Sequence, residues 1–82
     1  MFSIMAIKIS PRNKIAPTVQ EILTKHGCII KTRLGIHEAS VSSCSKSGLV
    51  ILDLLNENPE EIETLKEDLN SLDGVTAKVM EI

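Results

Sequence analysis

Hydrophobic and polar positions along the chain divide it into six segments. Phe2-Ser3-Ile4-Met5-Ala6-Ile7-Lys8-Ile9 is apolar at nearly every position, the pattern of a strand buried on both faces. Ser10-Pro11-Arg12-Asn13 reads as a turn, with Ser10 or Asn13 placed to cap the helix after it. Ile15, Ala16, Val19, Ile22 and Leu23 then recur at helical spacing, and Gly27 stands where a left-handed cap would close the helix. Pro17 suits only a first turn, so regular helix is expected to begin between Asn13 and Pro17.

Cys28 to Ile36 alternates as a half-buried strand. Cys28, Ile30, Thr32 and Leu34 are expected on its apolar face, with Ile29, Lys31 and Arg33 on the other. A polar loop rich in serine comes next, holding His37, Glu38 and Cys44. Leu49 to Leu55 is a third strand, apolar on both faces except for Asp53. Asn58-Pro59-Glu60-Glu61 is a helix start: a cap, a proline at the first position and a glutamate three residues on. Ile62, Leu65, Leu69 and Leu72 form the buried stripe of that helix, and Asp73-Gly74 ends it. Val75 to Ile82 is the last strand, with Val75, Ala77 and Val79 on one face.

The order βαββαβ predicts an α+β ferredoxin-like fold over residues 1–82 as one domain: a four-stranded antiparallel sheet with two helices on one face. In that topology the first and third strands are central, and here those two are apolar on both faces. The face without helices would then carry Ile29, Leu49, Ile51, Leu55, Met80 and half of the first strand. Leaving about eight such side chains in water forgoes roughly 12–24 kcal/mol, against a net domain stability of about 5–15 kcal/mol. A homo-oligomer, dimer or tetramer, covering this face or an edge beside it is therefore expected. Asp53 interrupts the face, and Arg33 or Lys31 on the neighbouring strand is its expected partner.

Composition narrows the function. Eighty-two residues with a net charge of −2 and a single aromatic, Phe2, offer neither a basic stripe nor a stacking platform, so direct nucleic-acid binding is not expected. No apolar run approaches the length of a membrane span, and Phe2 to Ile9 lacks the charge and cleavage pattern of a signal peptide. Two cysteines without a paired motif fit a reducing, cytoplasmic setting and no structural disulfide.

The frame Arg33-Leu34-Gly35-Ile36, a polar loop, Gly48-Leu49-Val50-Ile51-Leu52, then Leu69 through Gly74-Val75 and Lys78 resembles the small ACT-like iron-only hydrogenase system regulators. The resemblance spans nearly the whole chain. It implies an ACT-like domain related to amino-acid-sensing regulatory domains and to the nickel-binding half of a nickel-responsive repressor. It brings no ligand with it. Arg12-Asn13-Lys14 stands where amino-acid-binding ACT domains typically place a glycine, and His37-Glu38 where many look-alikes have proline.

Candidate chemistry is sparse. Arg12, Asn13 and Lys14 form a cationic turn at a helix N-terminus, a place suited to an anionic ligand, although a solvated turn is the simpler reading. Arg33 and His37 are further candidate ligand-binding residues. His37 and Cys44, with His26 elsewhere, are the side chains able to hold nickel or zinc, although their spacing matches no strong metal motif. Cys28 is expected in the core. Catalysis by Cys44 beside His37 would need an orienting group and an oxyanion donor that cannot be named, and no Gly-x-x-x-x-Gly-Lys loop is present. The expectation is therefore a non-catalytic regulatory module requiring no cofactor, which binds a small effector or partner protein at an oligomer interface. The alternatives are a nickel- or other metal-sensing domain using His37 and Cys44, and a structural accessory subunit.

Overall fold

Strands β1 (Ser3–Ile9), β2 (Ile30–Ala39), β3 (Cys44–Leu54) and β4 (Val75–Glu81) form one antiparallel sheet in the order β2-β3-β1-β4. Helices α1 (Arg12–Lys25) and α2 (Pro59–Asn70) make the two crossovers. This computed structural model describes the backbone of residues 1–10, 12–39 and 44–82, and the side chains of 1–10, 15–35 and 47–82. The two strands apolar on both faces are the central pair, as their patterning requires.

The core lies between sheet and helices. Met5, Ile7 and Ile9 of β1, Val50, Leu52 and Leu54 of β3, and Val75 and Ala77 of β4 face Val19 and Leu23 of α1 and Ile62, Leu65 and Leu69 of α2. The second helix starts as its sequence requires: the Asn58 side chain accepts from the Glu61 amide at 3.3 Å, and Pro59 occupies the first turn. Gly74, at φ 84°, supplies the left-handed residue that leads into β4.

Four local expectations are corrected. Helix α1 begins at Arg12, so Asn13 lies within its first turn rather than capping it, and Pro17 sits inside the helix. A proline nitrogen there has no proton for the Asn13 carbonyl, a local loss that burial of Val19 and Leu23 outweighs. Gly27 is not a left-handed cap; it opens a 3-10 turn over Gly27–Ile29. That turn holds Cys28 exposed rather than in the core and buries Ile29, which was expected on the helix-free face. The backbone explains the change, because the Ile29 amide bonds to the His26 carbonyl while the Ile29 carbonyl takes the Leu55 amide. Leu55 is half-buried and packs against the core.

The largest correction is the phase of β2. A register shift between Ile30 and Thr32 breaks its alternation. Ile30 pairs with Leu54 and packs against the core, but Thr32 pairs with Asp53 and Leu34 with Ile51, on the helix-free face. Arg33 pairs with Leu52 and therefore turns toward the helices, where its Nη2 donates to Gln20 Oε1 at 2.6 Å. Asp53 has neither expected partner, since Lys31 Nζ lies 5.9 Å from the centre of the Phe2 ring.

One free sheet edge is blocked by a side chain. Asn70, the last residue of α2, accepts from the Ala77 amide through Oδ1 at 2.8 Å and donates to the Ala77 carbonyl through Nδ2 at 3.0 Å. The amide acts as a one-residue strand along the outer edge of β4. Asn70→Ala is expected to cost about 1–3 kcal/mol by leaving both backbone groups without their partner. Urea denaturation measures this, and Asn70→Asp, which keeps only an acceptor, should fall in between.

Candidate functional site

The helix-free face of the sheet is a grid set by strand register. One row across it reads Thr32, Asp53, Ile4, Met80; the next Leu34, Ile51, Ala6, Lys78; the third includes Leu49, Lys8 and Thr76. Apolar groups dominate and remain wet. Leu34 is 57% exposed and Met80 56%, with Leu49 exposed and Ile4, Ala6 and Ile51 half-buried. A shallow hollow of about 340 Å³ lies on this face, lined by Ala6, Lys8, Leu49, Thr76 and Lys78. Its floor is apolar and its rim carries two ammonium groups and a hydroxyl, a combination that suits an anionic group with an apolar body.

Three charges punctuate the grid. Lys8 and Lys78 stand one strand apart on neighbouring rows, and Asp53 lies toward the opposite end of the strands. Asp53 is half-buried on a central strand, and its Oδ1 is enclosed without a hydrogen-bond partner among the described residues. No ion pair to Asp53, Lys8 or Lys78 occurs among the described residues.

The residues singled out from sequence separate into two places. His37 pairs with Gly48, Gly48 with Ile9, and Ile9 with Val75, so His37 shares a row with the end of β1. Helix α1 begins three residues beyond Ile9, and its first turn holds Arg12, Asn13 and Lys14. The backbone thus gathers Arg12, Asn13, Lys14 and His37 at one end of the sheet. At that end Ser47 Oγ donates to Ser10 Oγ at 3.3 Å, and the Ser10 amide bonds to the Gly74 carbonyl at 2.9 Å. Arg33 is four residues back along β2, about 13 Å at strand rise, and is tied to Gln20. It does not belong to that group.

His37 and Glu38 lie in β2 and Cys44 in β3, rather than in one loop. Ala39 pairs with Cys44, so His37 and Cys44 occupy neighbouring rungs of the hairpin across a register shift. The side chains of Arg12, Asn13, Lys14, His37 and Cys44, and the serine loop over 40–43, are outside the described residues. Among the described residues, no group of three or more His, Cys, Asp and Glu could hold a metal ion, and no helix is long and apolar enough to cross a membrane.

The fold has structural counterparts. No family model matches the chain, and neither does any curated protein. Among solved structures, an uncharacterized protein from Thermotoga maritima is similar at 25% identity and a TM-score of 0.79, over 96% of this chain and 92% of that one. The ACT domain of GTP pyrophosphokinase from Chlorobium tepidum matches at 16% identity and a TM-score of 0.70, over 100% and 88%. CPII, a nitrogen regulatory PII-like protein from Thiomonas intermedia bound to ADP, AMP and bicarbonate, matches at 11% and 0.68, over 99% and 89%. The chain has the ACT-like ferredoxin fold.

Within that fold, sequence reading overlooked one polar constellation. His26, 5% exposed at the end of α1, holds Asp68 Oδ2 at 3.1 Å through Nε2, while Nδ1 lies 3.7 Å from Glu61 Oε1, beyond hydrogen-bond length. The acidic residues of α2 read as a solvated face, and His26 as a spare metal ligand. A seven-residue spacing puts Glu61 and Asp68 on one helix stripe, and that was the available signal.

Proposed function

We propose that this chain is a non-catalytic regulatory module of the iron-only hydrogenase system regulator type, which binds a small effector or a partner protein at an oligomer interface. The observation that carries the reading is the wet, largely apolar sheet face with its lysine-rimmed hollow. Supporting it, the same fold occurs in a PII-like protein bound to ADP, AMP and bicarbonate and in an ACT domain of GTP pyrophosphokinase. The resemblance of Arg33-Leu34-Gly35-Ile36 and Gly74-Val75 to the hydrogenase regulators supports the pathway assignment.

A thermal-shift screen against amino acids, ADP, AMP, bicarbonate, nickel and zinc tests this. A ligand at one hundred times its dissociation constant adds about 2.7 kcal/mol. For a domain of this length that is a rise on the order of 10–20 °C. A rise with an amino acid or an anion supports the effector reading. No rise with any of them overturns it and leaves a partner protein, or a structural accessory role, as the use of the fold.

The neighbouring rungs of His37 and Cys44 favour one second reading, a transition-metal sensor that joins imidazole and thiolate across the hairpin. It predicts a rise with nickel or zinc alone, lost in the His37→Ala/Cys44→Ala double variant. Unchanged metal affinity in that variant would remove both side chains from any site.

A further inference from the structure

We propose that a second copy of this chain covers the helix-free face, the two sheets packing face to face with their strands antiparallel, so that each Asp53 carboxylate meets Lys8 of the other copy. This deepens the proposed oligomer interface and rests on that reading for the existence of an oligomer, not for an effector.

The argument starts from a charge without a partner. Asp53 sits half-buried on a central strand between Thr32 and Ile4, one oxygen enclosed and unbonded among the described residues. Among the described residues no cation pairs with it: Arg33 is held by Gln20 on the opposite face, and Lys31 lies over Phe2. An uncompensated carboxylate among Ile4, Ile51 and Thr32 calls for a donor from above the sheet.

The face carries that donor in a self-complementary position. A two-fold axis lying across the strands at the Ala6–Ile51 row exchanges the Asp53 row with the row of Leu49 and Lys8. Each Asp53 then faces the partner's Leu49, with the partner's Lys8 about 4.8 Å to the side on the adjacent strand. A lysine's flexible four-carbon stem spans that offset. Lys78 stays outside this contact: it lies on the middle row two strands from Asp53, where the axis sets it opposite the partner's Lys78. An axis running along the strands between β3 and β1 would instead set Asp53 over the partner's Ile4, two rows from any Lys8, and leave the charge unpaired, so Asp53 favours the antiparallel arrangement.

Apolar area supplies the rest. Four strands by about four rows span roughly 20 Å by 25 Å, of the order of the surface each partner contributes to an ordinary dimer interface. Leu34, Leu49, Met80, Phe2 and Ile82 are the exposed side chains this would cover or border.

Sedimentation equilibrium on the ligand-free chain tests the proposal. Wild type should associate as dimers, or multiples of dimers, at low micromolar concentration. Asp53→Lys and Lys8→Glu should each weaken association at least tenfold. Combining Asp53→Lys with Lys8→Glu should restore it to within a few fold of wild type. Asp53→Asn, which keeps the shape and serves if Asp53→Lys does not fold, should weaken it and flatten its salt dependence. An oligomer indifferent to all these changes overturns the face-to-face pairing and leaves the oligomer reading standing. A wild-type monomer at 100 times that concentration overturns both.

Discussion

Leu52→Ala is expected to lower stability by about 2–5 kcal/mol, the range for truncating a fully buried leucine that the surroundings cannot collapse around. Leu52 lies near the C-terminal end of β3, paired with Met5 on one side and Arg33 on the other, and has no exposure. It belongs to the same core as Val19 and Leu23 of α1 and Leu65 of α2, all as deeply buried. The site cannot close without moving a helix. At about 4–8 °C per kcal/mol for a domain of this size, the melting temperature should fall by roughly 8–40 °C. Calorimetry checks it, and Leu49→Ala, exposed on the other face of the same strand, is the control expected to have little effect in the monomer.

The second large effect is at the junction of the helices. His26→Ala should cost about 2–4 kcal/mol, combining the loss of a nearly buried ring with the loss of its bond to Asp68. The ring links the end of α1 to Glu61 and Asp68 of α2, and its position also starts the 3-10 turn that buries Ile29. Asp68→Asn, which keeps shape and an acceptor, should cost less than half as much. If the ring only fills space, His26→Leu will match wild type in urea denaturation; if its polar bond matters, that variant will resemble His26→Ala. A double-mutant cycle of His26→Ala with Asp68→Ala gives the pair's coupling directly, and a value near zero would assign the effect to packing alone.

Long-period patterning survived folding intact. The apolar density of β1 and β3 determined that they are central, the Ile62, Leu65, Leu69 spacing determined the buried stripe of α2, and Asn58-Pro59 determined where that helix starts. These are local statements about which side chains avoid water, and each is repeated over several residues, so a single exception does not overturn it. The order of the elements then left one compact way to bury those faces.

What depended on single residues was decided by tertiary structure. Cys28 and Ile29 exchanged their expected places because a 3-10 turn satisfied backbone groups that a strand could not. One register shift after Ile30 reversed the phase of β2, sent Arg33 to Gln20 and left Asp53 without either expected partner. Period-two patterns carry no protection against a one-residue slip, since every later side chain changes face. The candidate site obeyed the same rule. Sequence could nominate Arg12, Asn13, Lys14, Arg33 and His37 by residue type, but only sheet register gathered four of them at one end and set Arg33 apart. Likewise Lys8, Lys78 and Asp53 are distant in sequence and meaningless as a set until three strands lie side by side and show that they share one face. Local burial preferences can be read from a chain in order, whereas proximity between distant polar groups exists only once the chain has closed.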